Sequence, residues 1–361
     1  MKRDGLGPSE MEGGGRGWLI LPGLLATAIL LVIATPACLP LAWTFDRIGG
    51  SGRSWCAGWL TLLALVGIEL LVVARATGLW FTCGGPWRAR EEGFEAHGRL
   101  LRWWAASTLR VIVRLNGMRV EVEGLDEVDL GRSHILFIRH VSVLDTLLPR
   151  ATFSAVTGVE VLEVWKRELL WIPSLHFVAR RLPHVVVSRE DGSSAEVVNQ
   201  VAALAANLTG GEGLAVFPEG ARFSPARRTH VLRHLEGAGR ADRAEEARAL
   251  RHVLPVRTGS TRALMDRRGD ADVWFLGHAG FDAIFSFSDL FRGGLRGVTL
   301  RLRFWRHAGS DVPGDPDEAV AWVRARWRDL DEWLNQSKMR ALAGNDPGAD
   351  GGGVSDPGSE G

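Results

Sequence analysis

His134-Ile135-Leu136-Phe137-Ile138-Arg139-His140-Val141-Ser142-Val143-Leu144-Asp145 opens on an apolar run and ends with a histidine and an aspartate five positions apart. The run has the length and composition of a buried strand, so the polar residues fall where the chain would leave a sheet edge. Alone, the His–Asp spacing is weak: ten histidines give about one such pair by chance. It gains meaning from Val216-Phe217-Pro218-Glu219-Gly220-Ala221-Arg222-Phe223, which also follows an apolar run. A base beside a carboxylate, with a glycine-turned loop carrying Glu and Arg, suits acyl or phosphoryl transfer to a hydroxyl.

Around these stretches the pattern alternates between strands and helices. Arg119 to Glu123 alternates like a strand that Gly124 stops, and Ile135 to Ile138 reads as a buried strand. Leu144 to Phe153 reads as a helix that Pro149 kinks or shortens. Val185 to Val187, Leu214 to Phe217, Val253 to Val256, Val273 to Leu276 and Thr299 to Trp305 read as further strands. Ser194 caps a predicted helix from Ala195 to about Leu208, and Gly210-Gly211 ends it. Pro316 to Leu334 is a predicted helix with Val320, Val323, Trp327, Leu330 and Leu334 on one face. This order implies a layered α/β domain with its chemistry on loops at strand ends.

The N-terminal region has another character. The chain is 46% hydrophobic, high for a purely soluble protein, and the excess lies before residue 83. Leu19 to Ala42 carries no charge and is bracketed by Trp18 and Trp43, so residues 18–43 are long enough to cross a bilayer. Pro36 and Pro40 are expected to kink or shorten this segment. Its length, and the mixed charges ahead of it, argue against a cleaved signal. Residues 55–81 form a second apolar segment, interrupted by Glu69 and Arg75. It either spans with Glu69 facing the first helix or lies partly in the interface. Arg88, Arg90, Arg99 and Arg102 follow it and favour a cytoplasmic catalytic domain. Residues 83–116 read as a connecting or interfacial helix, basic on one side and apolar on the other. Residues 1–17 and 344–361 are Gly-rich and polar and read as disordered.

Composition excludes some functions. A net charge of +1 gives no global field for nucleic acid. Cys38, Cys56 and Cys83 lack zinc-ligand spacing.

The two signature stretches together resemble the lysophospholipid acyltransferase family, which includes 1-acylglycerol-3-phosphate acyltransferases. Its pattern is Asn-His-x4-Asp, a Lys/Arg-bearing block, Phe-Pro-Glu-Gly-Thr-Arg, and a Pro in an apolar strand. Here the block runs from Lys166-Arg167-Glu168-Leu169 to Val187-Ser188-Arg189, and the last element is Val253-Leu254-Pro255-Val256. Ala321-Trp322-Val323-Arg324-Ala325-Arg326-Trp327 looks like the tail of the lysocardiolipin acyltransferase branch. Arg139 stands where the family has Asn, and Ala221 where it has Thr. The resemblance implies an acyltransferase domain over residues 117–335 with a central mixed sheet, preceded by one or two membrane helices. It implies an acyl donor (acyl-CoA or acyl-carrier protein), a lysophospholipid acceptor and a lipid bilayer as partners, with no metal or bound cofactor.

The candidate catalytic pair is His140 and Asp145. A neutral imidazole can take the acceptor hydroxyl's proton, and the carboxylate would fix its tautomer. The acceptor hydroxyl replaces the serine of a hydrolase triad, so no acyl-enzyme is needed. The competing reading makes Ser142 a helix cap and Asp145 a first-turn residue, with His140 incidental. Ser142 lacks the Gly-x-Ser-x-Gly elbow of a nucleophile. Lys166, Glu219, Gly220 and Arg222 are candidate substrate-binding residues, and the resemblance adds Arg189 as a ligand of the glycerol phosphate. An arginine fork suits phosphate. Gly220 would permit a tight turn, and Glu219 would orient Arg222 or the acceptor hydroxyls. Arg139 would place a cation beside the base, favouring its neutral form, or would point away. The Arg- and Ala-rich stretch 227–251 reads as a solvated helix or as a surface for anionic headgroups. The acceptor could instead be another lysolipid such as lysocardiolipin, or the fold could bind lipid without catalysis.

Overall fold

The computed structural model describes residues 19–48, 55–82, 94–125, 128–179, 182, 184–187, 195–285, 289 and 292–344. The expected N-terminal disorder, the helix cap Ser194, Arg189 and the tail beyond residue 344 lie outside them.

Helices α1 (Ile20–Ile48) and α2 (Trp55–Thr82) form a hairpin. At its tip, Asp46 accepts hydrogen bonds from the backbone amides of Trp55 and Cys56, which caps the start of α2. Pro36 and Pro40 lie inside α1 without ending it. Both helices are long and apolar enough to cross a membrane. Ile29, Leu30, Val32, Ile33, Leu41 and Phe45 of α1 are exposed, an apolar surface that water does not favour. The far half of α2 is different. It packs on α3 (Phe94–Leu115), burying Val72 and Ala76 in the domain core. Glu69 turns to the domain and not to α1: it accepts from Trp104 Nε1 at 2.7 Å and from the Ser174 amide at 2.8 Å. The Arg75 guanidinium lies 4.3 Å from the Trp103 ring centroid. The two charges that interrupt the second apolar segment are thus held by protein.

The domain is built on one sheet. Strands β1 (Arg119–Glu123) and β2 (His134–Ile138) come first, followed by a 3-10 turn (Val143–Leu147), a π-helical turn (Pro149–Ser154) and the single turn α4 (Ala155–Thr157). Then follow β3 (Glu160–Lys166), α5 (Pro173–Ala179), β4 (Val185–Val187), α6 (Ala195–Ala206) and β5 (Glu212–Val216). Helices α7 (Pro225–Gly237), α8 (Ala241–Ala249) and α9 (Thr258–Arg267) precede β6 (Asp272–Ala279), β7 (Thr299–His307) and α10 (Pro316–Gly344). The strand order is β1-β7-β6-β2-β5-β3-β4, with β6 and β7 antiparallel and every other pair parallel, so the sheet is mixed as expected.

Alternation along β2 divides the core. Leu136 and Ile138 face the side covered by α3, while Ile135 and Phe137 face the side covered by α6, α9 and α10. Parallel neighbours β2, β5, β3 and β4 end at one sheet edge, which carries the loops after Ile138 and Val216 and the terminal residue Lys166.

Two expected elements differ. Val253 to Val256 joins no ladder. Its backbone is taken by distant side chains: the Leu254 amide donates to Glu219 Oε2 at 2.7 Å, and the Leu254 carbonyl accepts from Trp327 Nε1 at 3.0 Å. Leu144 to Phe153 is no α-helix but the 3-10 turn followed by the π turn, with Pro149 at the first position of the latter. The 3-10 turn is fixed by its cap, where Ser142 Oγ accepts from the Leu144 amide.

Candidate active site

The loop leaving β2 is held at three points. The Arg139 amide donates to the Leu276 carbonyl, the His140 amide to Glu219 Oε1 at 2.8 Å, and the Phe223 amide to the His140 carbonyl at 2.6 Å. The two signature stretches are therefore in direct backbone contact.

His140 Nδ1 lies 3.1 Å from Asp145 Oδ2. The same oxygen accepts from the backbone amides of Val141 (2.5 Å) and Ser142 (2.7 Å). With a carboxylate as acceptor, Nδ1 carries the hydrogen and Nε2 presents its lone pair, the tautomer of a general base. The capping reading and the catalytic reading thus describe one carboxylate, which caps the turn and orients the imidazole together. Ser142 Oγ is fully buried and donates to the Ile284 carbonyl at 2.7 Å, which leaves no nucleophile there.

The Phe217 ring packs on His140 at a tilt of 32°, with centroids 4.3 Å apart. Phe217 also lines an apolar cavity of about 390 Å3, with Val143, Leu144, Trp165, Val66 and Leu24 among its other walls. The cavity thus runs from the turn that carries Asp145 to the helical hairpin. Its volume is within the range of sites that take small apolar ligands.

Glu219 is buried, and its two oxygens are occupied by the His140 and Leu254 amides. It pins two loops and does not orient Arg222. Burial pushes its carboxyl up to about 8 against the pull of these two donors. Gly220 adopts φ +66°, and a Cβ there would meet the Arg257 guanidinium, so glycine serves both the turn and this close approach. Arg257 lies on the rim of the same loop, a cation that the spacing of motifs did not single out. Arg222 is exposed and donates to the Phe285 carbonyl at 2.6 Å. Lys166 ends β3, exposed, opposite Val187 of β4. Arg189 lies outside the described residues.

The two departures from the family pattern have local explanations. The Arg139 guanidinium points away from the imidazole. It pairs with Asp282 (2.6 Å) and donates to the carbonyls of His278 (2.8 Å) and His252 (3.2 Å). Lys338 of α10 joins from the other side, 2.9 Å from Asp282 and 3.2 Å from His252 Nδ1. Burial alone would raise the Asp282 pKa, but Arg139 and Lys338 hold it well below the usual carboxylate range. Ala221 packs its methyl against the small cluster of Val141, Phe223 and Leu254.

The family model described as Acyltransferase matches residues 119–273, a span that contains both signature stretches. Among solved structures, the chain is similar to the 1-acyl-sn-glycerophosphate (LPA) acyltransferase PlsC from Thermotoga maritima. The identity is 17%, the match covers 75% of this chain and 93% of that one, and the TM-score is 0.49. No curated protein matches in sequence. Residues 119–273, which contain the His140–Asp145 pair, thus form an acyltransferase domain, and the chain is an acyltransferase.

Proposed function

We propose that the enzyme moves a fatty acyl chain from acyl-CoA or acyl-carrier protein to the free hydroxyl of a lysophospholipid, with 1-acylglycerol-3-phosphate as acceptor. The observation that carries this reading is the position of the His140–Asp145 pair beside the apolar cavity, with Phe217 common to both. In the reaction, His140 Nε2 takes the hydroxyl proton as the oxygen attacks the thioester carbonyl. The carbon–sulfur bond breaks, and the imidazolium returns the proton to the departing thiolate. Atoms and charge balance without a resident metal or cofactor. The cavity would hold the acyl chain. Arg222, together with Lys166 and Arg189, would bind the acceptor phosphate.

The test is acyl transfer by purified protein to a panel of lysolipids: lysophosphatidate, lysophosphatidylcholine and lysocardiolipin. Lysophosphatidate is expected to be the best acceptor, and a stronger preference for another lysolipid moves the assignment to that headgroup. Arg222→Lys keeps the charge and loses the fork. It is expected to raise the KM for lysophosphatidate by about tenfold or more, with less effect on the KM for acyl-CoA. Wild-type constants in this variant would put the phosphate elsewhere on the rim, with Arg257 next to be tested.

We further infer that the hairpin enters the bilayer tip first. The charges of α2 lie in its domain-bound half, the tip carries Trp43, Phe45 and Trp55, and α1 and α2 return to the domain side. A two-pass hairpin of this kind would keep the catalytic domain and residue 19 on one face, and the basic residues that follow α2 in sequence favour the cytoplasmic one. Carbonate or high-salt washing is expected to leave the protein in the membrane pellet, and detergent to release it. Release by either wash would show attachment through charge alone.

A further inference from the structure

We propose that His278, at the end of β6, is a positioning residue for the transfer reaction, which holds the His140–Asp145 pair from behind through the Arg139 carbonyl and the second oxygen of Asp145. This inference rests on the reading of His140 as the base.

The geometry is reciprocal. His278 Nε2 lies 3.0 Å from the Arg139 carbonyl, and the Arg139 guanidinium donates to the His278 carbonyl at 2.8 Å. Side chain and backbone of each residue thus grip the other, directly before His140 in the chain. His278 Nε2 is also 3.4 Å from Asp145 Oδ1. That is too long for a strong hydrogen bond, but close enough for an N–H dipole to act on a carboxylate in a dry site. Asp145 Oδ2 is crowded with three donors, whereas Oδ1 has no hydrogen-bond partner among the described residues. A buried carboxylate oxygen in that state is costly unless a dipole faces it. Asp145, the orienting group of the base, therefore sits between two imidazoles.

The chemistry of His278 fits a neutral dipole. An N–H on Nε2 is required to satisfy the Arg139 carbonyl. Nδ1 is buried with no hydrogen-bond partner among the described residues, so no acceptor there supports a second proton. The ring is fully buried, which lowers its pKa against the pull of Asp145 and Asp282, and Arg139 lowers it further. A neutral N–H facing Oδ1 offsets part of the carboxylate charge that His140 feels and stops the carboxylate from rotating out of line.

The experiment compares His278→Phe, His278→Gln and His140→Ala in the full chain, with acyl-CoA and lysophosphatidate. His278→Phe keeps the apolar bulk and removes the donor. Its kcat is expected to fall about tenfold while both KM values stay within about twofold of wild type. His278→Gln can still donate toward the Arg139 carbonyl and should recover most of the turnover. If His278→Phe does not fold, His278→Asn decides: its shorter amide cannot reach that carbonyl, so it must show the same loss in kcat. Wild-type kcat in the variant lacking the donor overturns the proposal, as does an equal loss in His278→Gln. His140→Ala separates the two levels of inference: a nearly wild-type rate there sinks the base assignment itself, whereas an inactive His140→Ala beside a fully active His278→Phe sinks only the role of His278.

Discussion

His140→Ala is expected to lower turnover by a factor of about 10² to 10⁴ while the protein still expresses and still fractionates with membranes. The side chain meets Phe217 on one face and Asp145 at Nδ1, and it belongs to none of the hydrophobic core clusters. Asp145→Asn should be comparably severe for a different reason. An amide in place of the carboxylate can present its NH2 to His140, which favours a hydrogen on Nε2 and removes the base. It also loses acceptor capacity for the Val141 and Ser142 amides, so Asn has a structural cost that His140→Ala lacks. The discriminating measurement is kcat against KM in both variants, with thermal melting alongside. A His140→Ala enzyme that turns over at near the wild-type rate would remove the assignment of the base.

The largest effect on stability is expected at Arg139. Its guanidinium is fully buried and bound to Asp282 and two carbonyls. Arg139→Ala strands Asp282 with Lys338 and leaves buried carbonyls unpaired, a change that costs about 3–5 kcal/mol when one partner of a buried pair is removed. In a domain of this size that corresponds to a melting temperature lower by about ten degrees or more. Arg139→Asn, the residue usual at this position in the family, should be equally destabilising here, because asparagine cannot span to Asp282. The pair also sets a pH dependence. The Asp282 pKa is depressed in the folded protein, so its stabilisation is present above the ordinary carboxylate range and is lost as pH falls below it. Wild type is therefore expected to lose stability on acidification below about pH 4, and Arg139→Ala to show a shallower slope there. Melting temperatures within two degrees of each other at neutral pH would contradict the argument, where about ten are expected.

The contact between His140 and Asp145 was legible because it is local. His140 and Asp145 lie on one turn, and the apolar run before them reads directly as a strand. The β2, β4, β6 and β7 positions follow from periodicity in the same way. Strand β3 was hidden because Glu160 and Glu163 break its apolar pattern. Both are buried against Arg150 of the π turn, at 2.9 and 3.0 Å, a pairing that only the folded chain reveals. Val253 to Val256 misled in the opposite sense. Its apolar side chains fill the core as a strand's would, but its backbone partners are the side chains of Glu219 and Trp327. His278 carried no signal at all: a histidine at the end of an apolar run is common, and its partner lies 133 residues earlier in the chain at Asp145. The direction of Arg139 was open in the sequence for the same reason, since Asp282 and Lys338 approach from distant elements.

The tie between Glu69 and Ser174 has a kinetic consequence. It fixes α2 to the short helix that helps wall the cavity, so hairpin and catalytic domain cannot tilt independently. With the hairpin in a bilayer, the height of His140 relative to the lipid headgroups becomes a constant of the fold. On the proposed reading a lipid acceptor would arrive by sideways diffusion within the leaflet and the product would depart the same way, without desorbing into water. With a lysolipid acceptor, as proposed above, saturation would be governed by its mole fraction in the surface and not by its bulk concentration. Diluting the acceptor with inert lipid should slow the enzyme even when total acceptor in the tube is unchanged.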